Sequence, residues 1–566
     1  MARTRVADFL KQKLYPSGPY AMTSARSVGL PGAVLLIAFN SYAAPHILQG
    51  DWVGGFEEGT DWTYMQMHFE QNGASLKGTF DVFLLPFDFI QGRPIDAISA
   101  HSSRAQFQSR ARSQTFSFDA QAQGAAMTGT VARVDKKFPF RLDRIAKVNA
   151  ATCTGVFRFG SNHIVSISPS PMLGSNFIGF IDFKTGRTGG LYPRSETDFF
   201  SGPSMLVTFP TEIEVRFSGK SQSKWAGLEW TDRGGTTRKA QRVVLCEQEI
   251  TFTNADVALA GTLIRPGTGK NHPAIIFVPA STAMATRDMA RPVAEFFATQ
   301  SLACLIYDKR GTGASTGDWL RAGFDDLASD ALAAVATLAA YEEIDPRQVG
   351  LWGGSQSGWI VALAASRSTN VAFIISQSGP GVTPEEQELY RSEAWMRADG
   401  YSNADIDRAM ALVHQRYAWS RTGEGLQELE TAERTARKQP WYPYIGAFGG
   451  KDNPFWHFWK LIRDYDPTPA LQNVRCSVLA TFGERDTFVP VAKSVANWEA
   501  GLNKAGNKDA TIKVFPNGDH SLVEAKTGGL KEIPHIRRFV PGYWDFQRDW
   551  LLKRVTFQHQ EHVTRP

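Results

Sequence analysis

Val349-Gly350-Leu351-Trp352-Gly353-Gly354-Ser355-Gln356-Ser357-Gly358-Trp359 reads as an apolar strand that breaks into small residues around one serine and runs on into a helix. A nucleophilic hydroxyl needs this layout. A sharp strand-to-helix turn lifts Oγ clear of the sheet, and only small neighbours let strand and helix pack so closely. The pattern is G-x-S-x-G with Ser357 in place of the second glycine and Gly358 one position later. Gly/Ser-rich turns after strands are common and most are only turns, so the weight given to Ser355 rests on its partners.

Two further strand ends supply them. Cys476-Ser477-Val478-Leu479-Ala480-Thr481-Phe482 is an apolar strand leading into Gly483-Glu484-Arg485-Asp486-Thr487-Phe488-Val489-Pro490, which places a carboxylate just past its end. Ala510-Thr511-Ile512-Lys513-Val514-Phe515 is another, with Pro516-Asn517-Gly518-Asp519-His520-Ser521-Leu522 directly after it. Ser355, Asp486 and His520 thus occur in the order serine, acid, histidine, each at the carboxyl end of a strand, where open α/β sheets gather their functional groups.

With this triad order, residues 248 to 555 resemble the α/β-hydrolase superfamily. Tyr307-Asp308-Lys309-Arg310-Gly311-Thr312-Gly313-Ala314-Ser315 is similar to the D-x-R-G-x-G-x-S loop of many bacterial members, and Asp466-Pro467 and the D-x-x-V-P run from Asp486 to Pro490 are also typical. The resemblance implies that Ser355 attacks a carbonyl, His520 carries the proton and Asp486 orients His520. An oxyanion needs two backbone donors. Gln356, directly after the nucleophile, is expected to give one. The loop after Ala274-Ile275-Ile276-Phe277-Val278 is expected to give the other. Relatives usually place His-Gly there, whereas this chain has Pro279-Ala280-Ser281; proline has no N–H, which leaves Ala280 or Ser281.

Glu484 is expected to face solvent, and Asp519 adjoins His520 too closely in sequence to be its orienter. Asp308 and Arg310 are expected to form a structural ion pair. The remaining histidines show no H-E-x-x-H or clustered Cys/His spacing, so neither a metal nor an organic cofactor is expected.

At 566 residues, 43% hydrophobic and 12% aromatic, the chain can bury several cores. Residues 1–43 read as a secretory signal, with the apolar run Val28 to Phe39 ahead of Ser41-Tyr42-Ala43 and with Met22 as an alternative start; this makes periplasmic or secreted localisation the expectation. A membrane anchor is the rival reading, but this short run contains Pro31 and falls below the roughly 20 residues needed to span. The formal charge is +5, and cleavage would remove Arg3, Arg5, Lys11, Lys13, Arg26 and only Asp8, leaving near-neutrality and no phosphate-tracking face for nucleic acid. Cys153, Cys246, Cys304 and Cys476 could pair after export in any of three ways, with Cys304 expected as a buried thiol.

The fold class expected is an α/β-hydrolase sheet with a helical lid insertion, preceded by one or two all-β modules. Residues 46–145 form a first β-rich module, whose Leu76-x-Gly-Thr and Met127-x-Gly-Thr echoes suggest paired strands of a small barrel or sandwich. Residues 150–246 form a second, with Thr185-Gly186 as a hairpin turn. Residues 248–556 are the α/β domain. Residues 383–465 are its lid, rich in aromatic residues from Trp395 to Trp459 that either wall an acyl pocket or pack the lid onto the domain. Glu385-Glu386 is an acidic pair of the kind that holds a substrate's amino terminus in exopeptidases of this fold; the simpler reading is a helix capping box from Thr383 to Glu386.

Three functions fit these residues. The first is an exported serine hydrolase acting on small-molecule carboxylic esters or thioesters. The second is a serine peptidase of the prolyl-oligopeptidase or aminopeptidase type. The third is a protein whose β-rich half binds cell-envelope lipid or glycan, with catalysis secondary.

Overall fold

The computed structural model describes residues 47–557 apart from 60, 73–74, 85–87, 113, 170–176, 222 and 282–285; the signal reading of residues 1–43 lies outside the described residues. The chain divides into two units, one ending at Ala146 and the other beginning at Lys147.

The first unit is a closed barrel of eight antiparallel strands, β1 (Gly50–Glu58), β2 (Asp61–Asn72), β3 (Ser75–Leu84), β4 (Asp88–His101), β5 (Arg104–Ala111), β6 (Gln114–Gln123), β7 (Ala126–Arg133) and β8 (Lys136–Ile145). Alternation makes the wall: along β5 exposed and buried residues strictly alternate, as a sheet with one wet face requires. Pairing of β1 with β8 closes the ring and leaves no edge. Phe69, Phe80, Phe107, Phe116, Phe118 and Phe140 fill the interior, with Phe107 and Phe118 stacked at 4.9 Å. The two G-T echoes fall in β3 and β7, which do not pair. Their glycines mark close backbone approach instead: a Cβ at Gly129 would lie 2.0 Å from the Asp119 carbonyl oxygen, and one at Gly78 would lie 2.7 Å from that of His68.

The second unit opens with a nine-stranded antiparallel sheet, from β9 (Gly155–Phe159) to β17 (Thr237–Arg242). Gly186, at φ 76°, turns the chain between β11 (Ile178–Asp182) and β12 (Thr188–Gly190). This sheet shares a core with helices of the α/β region. Phe183 stacks on Phe296 of helix Arg291–Ala298 at 4.2 Å and meets Trp544 of helix Tyr543–Leu552 edge-on at 5.0 Å.

The third sheet has eight strands: β18 (Leu245–Asn254), β19 (Val257–Pro266), β20 (His272–Val278), β21 (Ala303–Tyr307), β22 (Ile344–Gly354), β23 (Phe373–Gln377), β24 (Ser477–Gly483) and β25 (Ala510–Phe515). Their order is β18-β19-β21-β20-β22-β23-β24-β25, parallel from β21 onward. Every residue of β20 and β21 is buried, the signature of a sheet covered on both faces. After β21 a helix spans Phe324–Leu338, its first turn tied by the Asp326 carboxylate accepting the Gly323 N–H at 2.9 Å.

Between β23 and β24 the chain inserts helices Pro384–Ala398, Asn403–Thr422, Leu426–Ala436 and Phe455–Ile462. Trp395, Trp441, Tyr444, Phe448, Trp456, Phe458 and Trp459 are buried within the core they share with the sheet, whereas Phe455 is exposed. A buried ion pair, Arg416 to Glu433 at 2.5 Å, cross-links two of these helices, and Tyr442 Oη donates to the same carboxylate at 2.7 Å. Thr383 caps its helix by accepting the Glu386 N–H at 3.3 Å, but Glu386 pairs with Lys493 rather than closing the box. The four cysteines are all free thiols, Cys304 fully buried. Among the described residues no helix is long and apolar enough to cross a membrane, and no group of three or more His, Cys, Asp or Glu side chains is arranged to hold a metal ion.

Candidate active site

Ser355 sits between β22 and helix Gln356–Arg367 with φ 55° and ψ −123°, a conformation no ordinary strand or helix residue adopts and one concentrated at functional sites. Small neighbours permit it. A Cβ at Gly353 would lie 2.5 Å from the Ser357 carbonyl oxygen, and one at Gly358 would lie 2.3 Å from Gly379 Cα. Gly358 thus does the packing expected of the second glycine. Ser357 is tolerated because its buried Oγ donates to the Gly354 carbonyl at 2.8 Å.

Asp486, in the turn after β24, is fully buried on its side chain, and its Oδ2 lies 2.8 Å from His520 Nδ1. Its Oδ1 accepts the N–H groups of Phe488 (2.7 Å) and Val489 (2.9 Å). The remaining oxygen is therefore aimed at the histidine. Burial alone would lower the His520 pKa, but the Asp486 charge and hydrogen bond, with a contribution from the Asp519 charge, raise it above the ordinary imidazole value. Phe488 lies flat against the imidazole at 4.4 Å and 14°.

The serine and histidine loops are strapped to two adjacent residues: the Gln377 carbonyl accepts the Ser355 N–H at 2.8 Å, and Ser378 Oγ donates to the His520 carbonyl at 2.8 Å. No hydrogen bond joins Ser355 Oγ to His520 among the described residues, as is common before substrate draws such groups together.

A model of the X-Pro dipeptidyl-peptidase (S15) family matches residues 256–521, a span that contains all three residues. This match and the three residues together support a serine hydrolase of the α/β type in this part of the second unit. A quorum-quenching protein of Acinetobacter baumannii is 32% identical over 131 residues, 23% of this chain and 42% of that protein. A polyketide transferase of Penicillium crustosum is 29% identical over 150 residues, 25% of this chain and 47% of that protein. The chain thus spans less than half the length of these curated relatives. An esterase structure from Pyrococcus furiosus aligns over 55% of this chain and 92% of its own, at 17% identity and a TM-score of 0.36.

The other residues expected at the site are distributed around the hydrolase triad. Gln356 is the first residue of its helix, and its N–H meets no acceptor among the described residues, as an oxyanion donor requires. Ala280 and Ser281 come directly after β20 at the same end of the sheet. Asp308 and Arg310 do not pair with each other. Asp308 is held by Arg287 (Nε at 3.3 Å) and accepts the Ala314 N–H at 2.9 Å, while Arg310 forms a two-pronged pair with Asp330 at 2.6 and 2.7 Å. Each thus braces a different neighbour. Glu484 is exposed. Asp519 accepts the Ser521 and Val523 N–H groups at 2.7 and 3.1 Å and so shapes the His520 turn, its carboxyl pushed up to about 6 by burial.

Phe488, Ser378 and Tyr390, whose Oη donates to the Asp486 carbonyl at 2.9 Å, were not singled out by the sequence. Only Phe488 carried a signal there, as the large residue of the D-x-x-V-P run. A cleft of about 850 Å³ in the second unit, lined by Arg187, Trp230 and Arg238 of the nine-stranded sheet region and by Arg537 among others, includes none of the triad residues.

Proposed function

We propose that the hydrolase cleaves carboxylic esters or thioesters through a Ser355 acyl-enzyme. The carrying observation is the Asp486–His520 pair, with the acid's second oxygen already occupied by backbone and the imidazole clamped by Phe488. In this scheme His520 Nε2 removes the Ser355 proton as Oγ adds to the carbonyl. The Gln356 N–H, with a donor from Ala280 or Ser281, receives the oxyanion. His520 then protonates the leaving alcohol or thiol, and water repeats the sequence to release the acid.

A second reading, peptide cleavage, is favoured by the S15 family match. The acidic pair that would grip a substrate amine is, however, already engaged: Glu385 by Arg421 at 2.6 Å and Glu386 by Lys493. This supports the ester reading. Fluorophosphonate labelling of wild type and Ser355→Ala, with the adduct located by mass spectrometry, tests the nucleophile; p-nitrophenyl esters against peptide nitroanilides test the substrate. Labelling at Ser355 with turnover confined to esters is expected. Turnover of the anilides with inert esters would transfer the assignment to the peptidase.

A further inference from the structure

Lys309 is buried to 2% exposure with no carboxylate in ion-pair range among the described residues. Its Nζ lies 3.3 Å from the Ala280 carbonyl oxygen and 3.2 Å from Gln356 Oε1. The aromatic faces of Trp319 and Phe458 lie 4.8 and 5.9 Å away. The carboxylate next to it in sequence, Asp308, is taken by Arg287, and Arg310 by Asp330. Asp318, Arg321, His457 and Lys460, the charged or titratable groups on the elements that supply the two rings, occupy exposed positions. An ammonium stripped of water and given no counter-ion is destabilising by several kcal/mol in effective terms, so folding alone gives no reason for it here. Its two hydrogen-bond acceptors belong to the two segments that must converge on one oxyanion.

We propose that Lys309 is the positioning residue of the oxyanion hole, tying the Ala280–Ser281 peptide to Gln356 and setting a positive charge behind the developing oxyanion. This rests on the Ser355 acyl-enzyme reading. Because a peptide unit is planar and trans, fixing the Ala280 carbonyl also fixes the direction of the Ser281 N–H. Holding Gln356 by its side chain steadies the helix end whose backbone N–H is the other donor. Charge at this place acts where negative charge grows in the transition state and is absent from the neutral ester, so it raises kcat rather than binding. Desolvation brings the Lys309 pKa down to about 7, so the device weakens as the pH rises past neutrality.

The test compares wild type, Lys309→Met, Gln356→Ala and the double variant with a p-nitrophenyl ester across pH, alongside the rate of fluorophosphonate labelling and thermal melting. Lys309→Met should lower kcat about 100-fold, the effect of losing an oxyanion donor, with KM within about threefold, slower labelling that still reaches completion at Ser355, and no alkaline descending limb where wild type should have one. Gln356→Ala, which keeps both the lysine and the backbone donor, should lower kcat about tenfold, and the double variant should be no worse than Lys309→Met, since the two act as one unit. Wild-type kcat in Lys309→Met, a loss confined to KM, or strictly additive losses would overturn the proposal. If Lys309→Met does not fold, unchanged kcat in Gln356→Ala overturns it equally. Absence of wild-type labelling at Ser355 would instead remove the acyl-enzyme reading, and this inference with it.

Discussion

His520 is gripped through its ring nitrogen by Asp486, through its face by Phe488 and through its carbonyl by Ser378. The first two grips have their own expected signatures. His520 must be neutral to accept the Ser355 proton, and its pKa is raised, so the acid limb of kcat/KM should lie above pH 6.5; a limb at or below ordinary imidazole would show that the Asp486 charge does not reach it. Asp486→Asn should lower kcat by about 10³–10⁴-fold through loss of the correct tautomer. Phe488→Ala should leave KM near wild type and lower kcat, because it frees the ring to rotate without touching the nucleophile. Steady-state kinetics with a single ester separates these outcomes. Lys309 shows why some of the site was hidden in the sequence. It stands inside the Tyr307-to-Ser315 run that marks the loop, yet its role depends on Ala280 and Gln356, which only the packing of β20, β21 and β22 brings beside it.

At the scale of elements, the strand-to-helix turn at Ser355 was legible because composition, spacing and sharp turning all agree there. Its exception, Ser357, became intelligible only when Gly358 was seen against Gly379. Gly358→Ala should therefore be severely destabilising, more than a typical overpacking change of about 1–3 kcal/mol, because the obstructing atom is backbone; a melting temperature within a few degrees of wild type would contradict this. The first module was legible as a small barrel or sandwich without a choice between the two, since closure is decided by β1 meeting β8, strands at opposite ends of the module. A second element-level consequence concerns Glu295 of helix Arg291–Ala298. It is 5% exposed, hydrogen-bonded by Ser166 of the nine-stranded sheet at 3.1 Å, and pushed up to about 7 by burial, against the partial opposition of Arg291. A carboxyl with its folded pKa raised contributes stability that is fully present below about pH 4.5 and lost as pH rises through 7. Glu295→Gln should accordingly raise stability at pH 8 by on the order of 1–3 kcal/mol and have little effect near pH 5, measurable by denaturant unfolding at the two pH values.

At the scale of the whole molecule, the sequence suggested boundaries between residues 145 and 150 and near residue 247; the contacts divide the chain at Ala146 and place the nine-stranded sheet in one unit with the α/β sheet. Strand periodicity reported residues 150–246 as β-rich and could not report what covers the face of the sheet they form. The sheet is bound to the hydrolase beyond apolar contact: the Thr188 N–H donates to the Arg537 carbonyl and the Phe539 N–H to that of Gly186, each at 2.9 Å, while Glu524 and Val540 N–H groups pair this same 537–540 segment with residues 522–524, directly after His520. A chain starting at Lys147 should keep the ester turnover of the full protein. One starting at Glu247 should be poorly soluble and lose kcat, because the strap behind the histidine loop has lost its anchor. Equal activity of the two truncations would show that the sheet is dispensable to the site.

The seating of Trp544 against Phe183 also bears on how the protein is made. A ribosome emits the nine-stranded sheet long before it emits the helix Tyr543–Leu552 that covers part of it. The barrel can close as soon as β8 emerges, while the nine-stranded sheet waits with an uncovered aromatic face until that helix has been made. Completion of this core is thus timed by helix Tyr543–Leu552, and the interval before that helix arrives is a period in which the nascent chain needs protection from its neighbours.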